Sequence, residues 1–207
     1  MQETLYVRTT YATGDPAKIE SALDALRREA PALLARNPGY RRYGLFADRE
    51  LGKIQMGSWW ESANARSESD RQLRERRAEL LAPFADTVTV DDWEAVAFTP
   101  AFQVTDDAYM RMGRLEFKPS DAESLVQTFR DMGLPNLEAI DGLEGAVFFI
   151  DRAQGRAAVG ALLRDRAALL STRGPQSTVR GESLKKAGVT LRSIEEFQVV
   201  LLDGQRA

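Results

Sequence analysis

From Leu5 the chain alternates, with Leu5, Val7 and Thr9 on one side and Tyr6, Arg8 and Thr10 on the other, the period of two that marks a half-buried strand. The period then changes. Asp15 offers an N-cap with Pro16 in the first turn, and Ile19, Leu23, Leu26, Ala30, Leu33 and Leu34 share one helical stripe until Asn37-Pro38-Gly39 stops it. Pro31 is expected to kink or split that helix, because proline lacks the amide that a helix interior uses. Tyr40 to Ala47 and Lys53 to Trp60 read as two strands around Asp48-Arg49-Glu50-Leu51-Gly52, a hairpin loop whose glycine tolerates positive φ. Ser62 then caps a second helix reaching about Ala82, and Trp93 to Phe98 reads as a closing strand.

The second half repeats this order. Shifted against itself by 103 residues, the chain is identical at 19 of the 94 positions from Leu5 to Phe98, where ordinary residue usage gives about one match in fifteen. Tyr6/Tyr109, Arg8/Arg111, Gly39/Gly142, Asp48/Asp151 and Gly52/Gly155 are among the matches. The unit is far longer than a solenoid repeat, so each copy is a small domain. The second copy's strands are expected at Tyr109 to Phe117, Ala146 to Asp151, Ala157 to Leu163 and Phe197 to Leu202. Its helices are expected near Ser120, which forms a capping-box pattern with Glu123, and near Arg164, with Gly174-Pro175 breaking the last helical region. Residues 1–98 and 109–207 are thus two modules joined by the polar linker 99–108.

A strand-helix-strand-strand-helix-strand unit makes a four-stranded antiparallel sheet with both helices on one face, an α+β ferredoxin-like module whose other face needs cover. Two fused copies are expected to cover each other.

Composition narrows the function. A net charge of -3 and a pI of about 5.3 provide no basic field for nucleic acid or an anionic membrane. The absence of cysteine removes thiolate chemistry and disulfides, and fits a reducing compartment. The absence of histidine removes the usual base near neutral pH, the commonest metal ligand and the usual axial ligand of haem, so neither a metal nor haem is expected. The start, MQETLYVRTTY, lacks a signal pattern and no apolar run approaches a membrane span, which leads us to expect a cytoplasmic protein.

The residues Arg8-x-Thr10 with Tyr11 nearby, Asn37-Pro38-Gly39-Tyr40, Asp48 to Lys53, Ser58-Trp59-Trp60-Glu61-Ser62 and Asp92 to Phe98, in this order and in two copies, resemble the antibiotic biosynthesis monooxygenase family of the dimeric α+β barrel superfamily. The resemblance implies tandem ferredoxin-like modules joined in an intramolecular barrel, a pseudo-dimer in which a further homodimer stays open. It implies a cofactor-independent monooxygenase: a phenolic, anthrone or quinol-type aromatic is deprotonated, gives one electron to dioxygen as co-substrate, and recombines with it. By the same resemblance Trp60 and Arg74 are the catalytic candidates, Trp60 stacking on the substrate and Arg74 stabilising its anion. The family's asparagine four residues before the tryptophan is Met56 here, and its tyrosine six residues after is Arg66. Met56, Arg66, Tyr11 and Tyr43 are the substrate-binding candidates, the two tyrosines as hydrogen-bond donors to a phenolic ligand.

Plainer readings stand beside these. Trp59 and Trp60 look opposite ways from their strand, and both suit a core. Arg8 suits a cross-strand ion pair with a carboxylate such as Glu94, and Arg71, Arg74, Arg76 and Arg77 suit a solvated helix face. In the second copy Trp60 becomes Leu163, Met56 becomes Val159 and Arg74 becomes Ser177. The first copy is therefore the candidate active half and the second a structural one. A non-catalytic small-molecule binding or scaffold protein and a polyketide cyclase are the alternatives.

Overall fold

The computed structural model describes residues 4–99, 104–105, 107–174, 181, 184 and 187–204. Contacts gather into two compact units. The first unit spans Leu5–Trp93 and takes in the chain from Phe197; the second spans Glu94–Glu196.

In the first unit, β1 (Leu5–Gly14) leads through a single turn of 3-10 helix into α1 (Ile19–Ala35). Asp15 caps that turn as expected, its carboxylate accepting the amide of Ala17 at 3.0 Å. α1 runs unbroken through Pro31. One missing amide is tolerated because the helix buries Ile19, Ala22, Leu23 and Leu26 against the sheet. β2 (Tyr40–Asp48) and β3 (Lys53–Trp60) form the hairpin, with Gly52 at φ +61° where an L side chain is strained and where an added Cβ would meet the Gly14 carbonyl oxygen at 2.2 Å. α2 (Ala63–Leu81) starts at Ser62, whose hydroxyl accepts the Ala65 amide at 3.1 Å. The strands lie in the order β4-β1-β3-β2-β8, where β4 is Ala85–Phe98 and β8 is Thr190–Gly204.

The second unit repeats the arrangement as β8-β5-β7-β6-β4, with β5 (Tyr109–Glu116), β6 (Leu143–Asp151) and β7 (Arg156–Leu163). α3 (Ala122–Thr128) continues through a π turn at Phe129–Gly133 into α4 (Leu134–Glu138), and α5 (Arg166–Ser171) is capped by Asp165. The Ser120 capping box does not form: the Ser120 hydroxyl donates to Asp121 instead, and Pro119 opens a 3-10 turn.

Register identifies the duplication more firmly than identity does. Tyr6 opposes Trp60 and Tyr109 opposes Leu163; Thr13 opposes Lys53 and Glu116 opposes Arg156. Both hairpins carry a bulge at matched places, between Tyr40 and Arg42 and between Leu143 and Gly145. The closing strands match one residue later, since Ala95 opposes Phe149 whereas Gln198 opposes Ala47.

β1 departs from the half-buried strand expected. Val7, Arg8, Thr9 and Thr10 are all buried, so both of its faces are covered. β4 and β8 are also much longer than the expected Trp93 to Phe98 and Phe197 to Leu202. Thr87-Val88-Thr89-Val90 alternates as a strand does, and both valines are exposed, so this half of β4 is set by β propensity and pairing rather than by burial. No described helix is long and apolar enough to cross a membrane. Ser177 and Pro175 lie outside the described residues.

Candidate functional site

Even-numbered residues of β1 and β3 face the helices of the first unit. Ala12, Ile54, Met56 and Trp60 join Leu23, Leu26, Tyr40, Tyr43 and Leu45 in one core, and that core is incompletely filled. Between the sheet and the two helices lies a cavity of about 70 Å³. Arg8 and Thr10 of β1, Tyr43 of β2, and Met56 and Ser58 of β3 form its floor. α1 contributes Leu26, Ala30, Leu33 and Leu34, and α2 contributes Ser69, Leu73, Arg76, Arg77 and Leu80.

Tyr43 is 3% exposed, and among the described residues its buried hydroxyl finds no hydrogen-bond partner. Burial, with Tyr40 adding to it, pushes the Tyr43 hydroxyl far above the ordinary tyrosine range. It is a neutral donor at any physiological pH and not a base. Tyr40 is raised as well, by burial first and then by Asp203, whose carboxylate accepts its hydroxyl at 3.3 Å.

Arg8 anchors the polar end. Its Nε and Nη2 donate to the two Asp92 carboxylate oxygens at 2.9 and 3.0 Å, and its Nη1 donates to the Arg66 carbonyl at 2.9 Å and lies 3.3 Å from Asp70. The partner is thus Asp92, not the expected Glu94, which binds Arg152. Asp70 also accepts from Arg77 at 2.8 Å and from Arg74 at 3.0 Å. Burial raises the Asp70 carboxyl, but the bonds from Arg74 and Arg77 and the Arg8 charge outweigh it and hold it below the usual carboxylate range. Above the cavity mouth, Arg76 reaches from α2 to Glu29 of α1 at 2.5 Å.

The structure sorts the six sequence candidates. Tyr43 and Met56 come together at the cavity. Trp60 is fully buried on the same face but does not line the cavity: its indole N–H donates to Ser58 at 3.1 Å and its ring meets Tyr40 edge-on at 5.7 Å. Arg66 stands one step away, donating to the Trp93 carbonyl at 3.0 Å, lying 3.5 Å from Asp92 and covering the Tyr6 ring. Arg74 points outward, its side chain 70% exposed. Tyr11 opposes Gln55 on the other face of the sheet, the face that also carries Trp59 under the Arg42 guanidinium. Thr10, Ser58 and Ser69 were not among the candidates that the sequence offered, whereas Arg8 was weighed as an ion-pairing or anion-binding residue. Thr10 and Ser69 prove to be buried polar residues.

No known family model matches the chain. An uncharacterized protein of Mycobacterium tuberculosis (strain H37Rv), Rv2557, is 26% identical over 197 residues, which cover 95% of this chain and 88% of that one. Among solved structures, a "putative monooxygenase" from Fusobacterium nucleatum aligns with a TM-score of 0.75 at 10% identity, covering 99% of this chain and 96% of its own. An anthrone oxidase-like protein aligns at 0.73 and 13% identity, covering 98% and 94%. A ferredoxin fold protein from Listeria monocytogenes, described as related to antibiotic biosynthesis monooxygenases, aligns at 0.54 and 9% identity, covering 96% and 95%. These likenesses establish a ferredoxin-type fold. The structures concerned are of the kind that the sequence motifs resemble.

Proposed function

We propose that the chain is a cofactor-independent monooxygenase of the antibiotic biosynthesis monooxygenase type. Its two copies are fused as an intramolecular dimeric α+β barrel, with residues 1–98 as the active half, 109–207 as the supporting half and 99–108 as the link. The ligand is a small phenolic, anthrone or quinol-type aromatic in the cavity under α1 and α2. The observation that carries this reading is the unpaired hydroxyl of Tyr43, buried beside that cavity. A buried donor without a partner costs about 1–3 kcal/mol, and an oxygen on a bound ring removes that penalty.

The reaction balances on the substrate and dioxygen alone. A ring carbon loses a proton, the carbanion passes one electron to dioxygen, and the radicals join. Loss of water from the resulting hydroperoxide leaves a carbonyl, so the substrate loses two hydrogens and gains one oxygen while the second oxygen leaves as water. Tyr43 donates to the ring oxygen as its negative charge develops. The apolar walls, Leu26, Leu33, Leu34, Leu73 and Leu80, exclude water from the carbanion. Trp60 supports the floor through Ser58, and Arg74 acts on the site only through Asp70. The proton passes to solvent, because Tyr43 and Asp70 both titrate away from neutrality.

That last observation also favours a second reading, a binding module without catalysis. Oxygen uptake separates the two. The monooxygenase reading predicts consumption of one dioxygen per quinol or anthrone oxidised, with one labelled oxygen atom retained in the product. Binding of the same compounds without oxygen uptake leaves only the second reading.

A further inference from the structure

The two helices over the first unit's sheet are held down by different forces. α1 buries Ile19, Ala22, Leu23 and Leu26. α2 is longer, yet nine of its 19 residues are charged, and the residues it buries are Ser69, Asp70 and Leu81. A helix docks through its apolar stripe, and here Leu81, with Phe84 just beyond the helix, supplies one only at the C-terminal end. Further back, Leu73 and Leu80 line the cavity and are only partly buried. Polar bonds tie this part of α2 to the sheet instead. Arg8 of β1 donates to the Arg66 carbonyl at 2.9 Å, which also accepts the Ser69 hydroxyl at 2.7 Å, and the Arg8 Nη1 lies 3.3 Å from Asp70. Arg66 donates to the Trp93 carbonyl at 3.0 Å. Other bonds lie within the helix, from Arg74 to Asp70 at 3.0 Å and from Arg76 to Glu79 at 2.7 Å, and a helix keeps such pairs when it leaves its sheet.

We propose that α2 is a lid over the cavity: it opens while the sheet and α1 stay folded, with Leu81 and Phe84 as its anchored end and the contact of Arg8 with Asp70 as its latch. As a device for admitting a ligand, the lid rests on the reading of the cavity as the ligand site. The closed volume of about 70 Å³ is about half the 150 Å³ that holds a benzene in an engineered apolar cavity, so entry requires movement. Opening α2 breaks an ion pair and a few hydrogen bonds and uncovers little apolar surface, whereas lifting α1 would uncover four buried apolar side chains. A segment with few buried apolar contacts opens at a lower free energy than the whole fold.

The chain has no cysteine, so a single introduced thiol reports the opening. Thr10 and Met56 are buried neighbours on the cavity floor, in register across β1 and β3, and Leu45 is buried in the same core without lining the cavity. Thr10→Cys, Met56→Cys and Leu45→Cys are labelled in the whole chain with Ellman's reagent, an aromatic disulfide too large for the closed cavity, and each rate is divided by that of the same variant unfolded. The floor thiols are expected to react at least about tenfold faster than the Leu45→Cys thiol, which waits for global unfolding. Adding Asp70→Asn should speed the floor thiols a further tenfold or about that, because the bonds it removes are broken on opening. Either floor variant decides the matter if the other does not melt cooperatively. Floor thiols no faster than the Leu45→Cys thiol, or floor rates that Asp70→Asn leaves unchanged while the Leu45→Cys rate rises, would overturn the proposal. No ligand or dioxygen enters the measurement. Fast floor thiols in a protein that takes up no oxygen with any quinol or anthrone support the lid and defeat the monooxygenase reading, and oxygen uptake with slow floor thiols does the reverse.

Discussion

The two units share their strand register, their turn glycines and their buried strand arginine, yet they use that arginine differently. Arg8 is held from two sides, by Asp92 on β4 and Asp70 on α2. Arg111 donates to Glu196 at 2.8 and 3.1 Å, to the Thr172 hydroxyl at 2.8 Å and to the Leu169 carbonyl at 2.8 Å. The helix position that is Asp70 in the first unit is Arg173 in the second, and Arg173 itself pairs with Glu196. The carbonyl contact, to Arg66 in one and Leu169 in the other, is kept. What is kept serves the fold, and what differs surrounds the cavity.

Changes to the cores should show this difference in graded steps. The largest effect is expected from truncating the buried aromatics. Trp60→Ala and Phe148→Ala each remove a fully buried ring and should cost about 3–5 kcal/mol by denaturant unfolding. Trp60 is as much a part of the fold as Phe148, so a loss of less than about 1 kcal/mol would mean that the Trp60 side chain is not a core residue. Asp70→Asn comes next. It leaves Arg8 with Asp92 and the Arg66 carbonyl and weakens the bonds from Arg77 and Arg74, and should destabilise by about 1–3 kcal/mol. Arg173→Ala, at the matched and exposed position of the second unit, should leave the denaturant midpoint essentially unchanged, because an exposed ion pair is screened by solvent.

Acid and alkali act on both units through groups already placed. Asp70 and Glu196 have folded-state values below those of the unfolded chain. Their contribution is complete above the unfolded value of about 4 and is lost as pH falls below it. Tyr40 and Tyr43 are shifted upward. Their contribution is complete below the unfolded value of about 10 and is lost as pH rises beyond it. Stability measured by thermal melts should therefore be level with respect to these four groups between about pH 5 and 9. A steep change near pH 7 would point to a titrating group in the core that none of them explains.

The smallest effect on stability separates the units most sharply. Tyr43→Phe removes a hydroxyl that has no partner among the described residues, so the variant should be as stable as the parent or more stable by about 1 kcal/mol. Destabilisation by 2 kcal/mol or more, an order of loss that follows from breaking a made hydrogen bond, would show that the hydroxyl is already satisfied.

Much of this was legible in the sequence because it is local. The hairpin loop needs Gly52, the helix start needs Ser62, and β3 appears with both ends as its alternation predicts. The repeat with its 103-residue spacing announces two copies before any coordinate is known. The outer half of β4 was missed although Thr87-Val88-Thr89-Val90 alternates: the run is short, flanked by Asp86, Asp91 and Asp92, and its valines are exposed, so it does not read as part of a core strand. Nor was the cavity. Leu26, Ala30, Leu33 and Leu34 read as a core stripe and are one, and a packing deficit beneath them depends on what β2 and α2 bring from elsewhere in the chain. Tyr43 and Met56 reached the cavity because alternation assigns their faces. Arg74 did not, because a motif match fixes a position along the helix and not the face that packing turns toward solvent.

The central claim is that the first unit alone holds a ring in its core. The most direct measurement places methyl-labelled methionine at Met56, Met110 and Met112 and follows the NMR signals during titration with hydroquinone under argon. Met56 lines the cavity, whereas Met110 and Met112 lie buried in β5 of the second unit. The account predicts a saturable shift of the Met56 methyl with the other two unmoved. Shifts at Met110 and Met112, or a Met56 signal that does not respond, would contradict it.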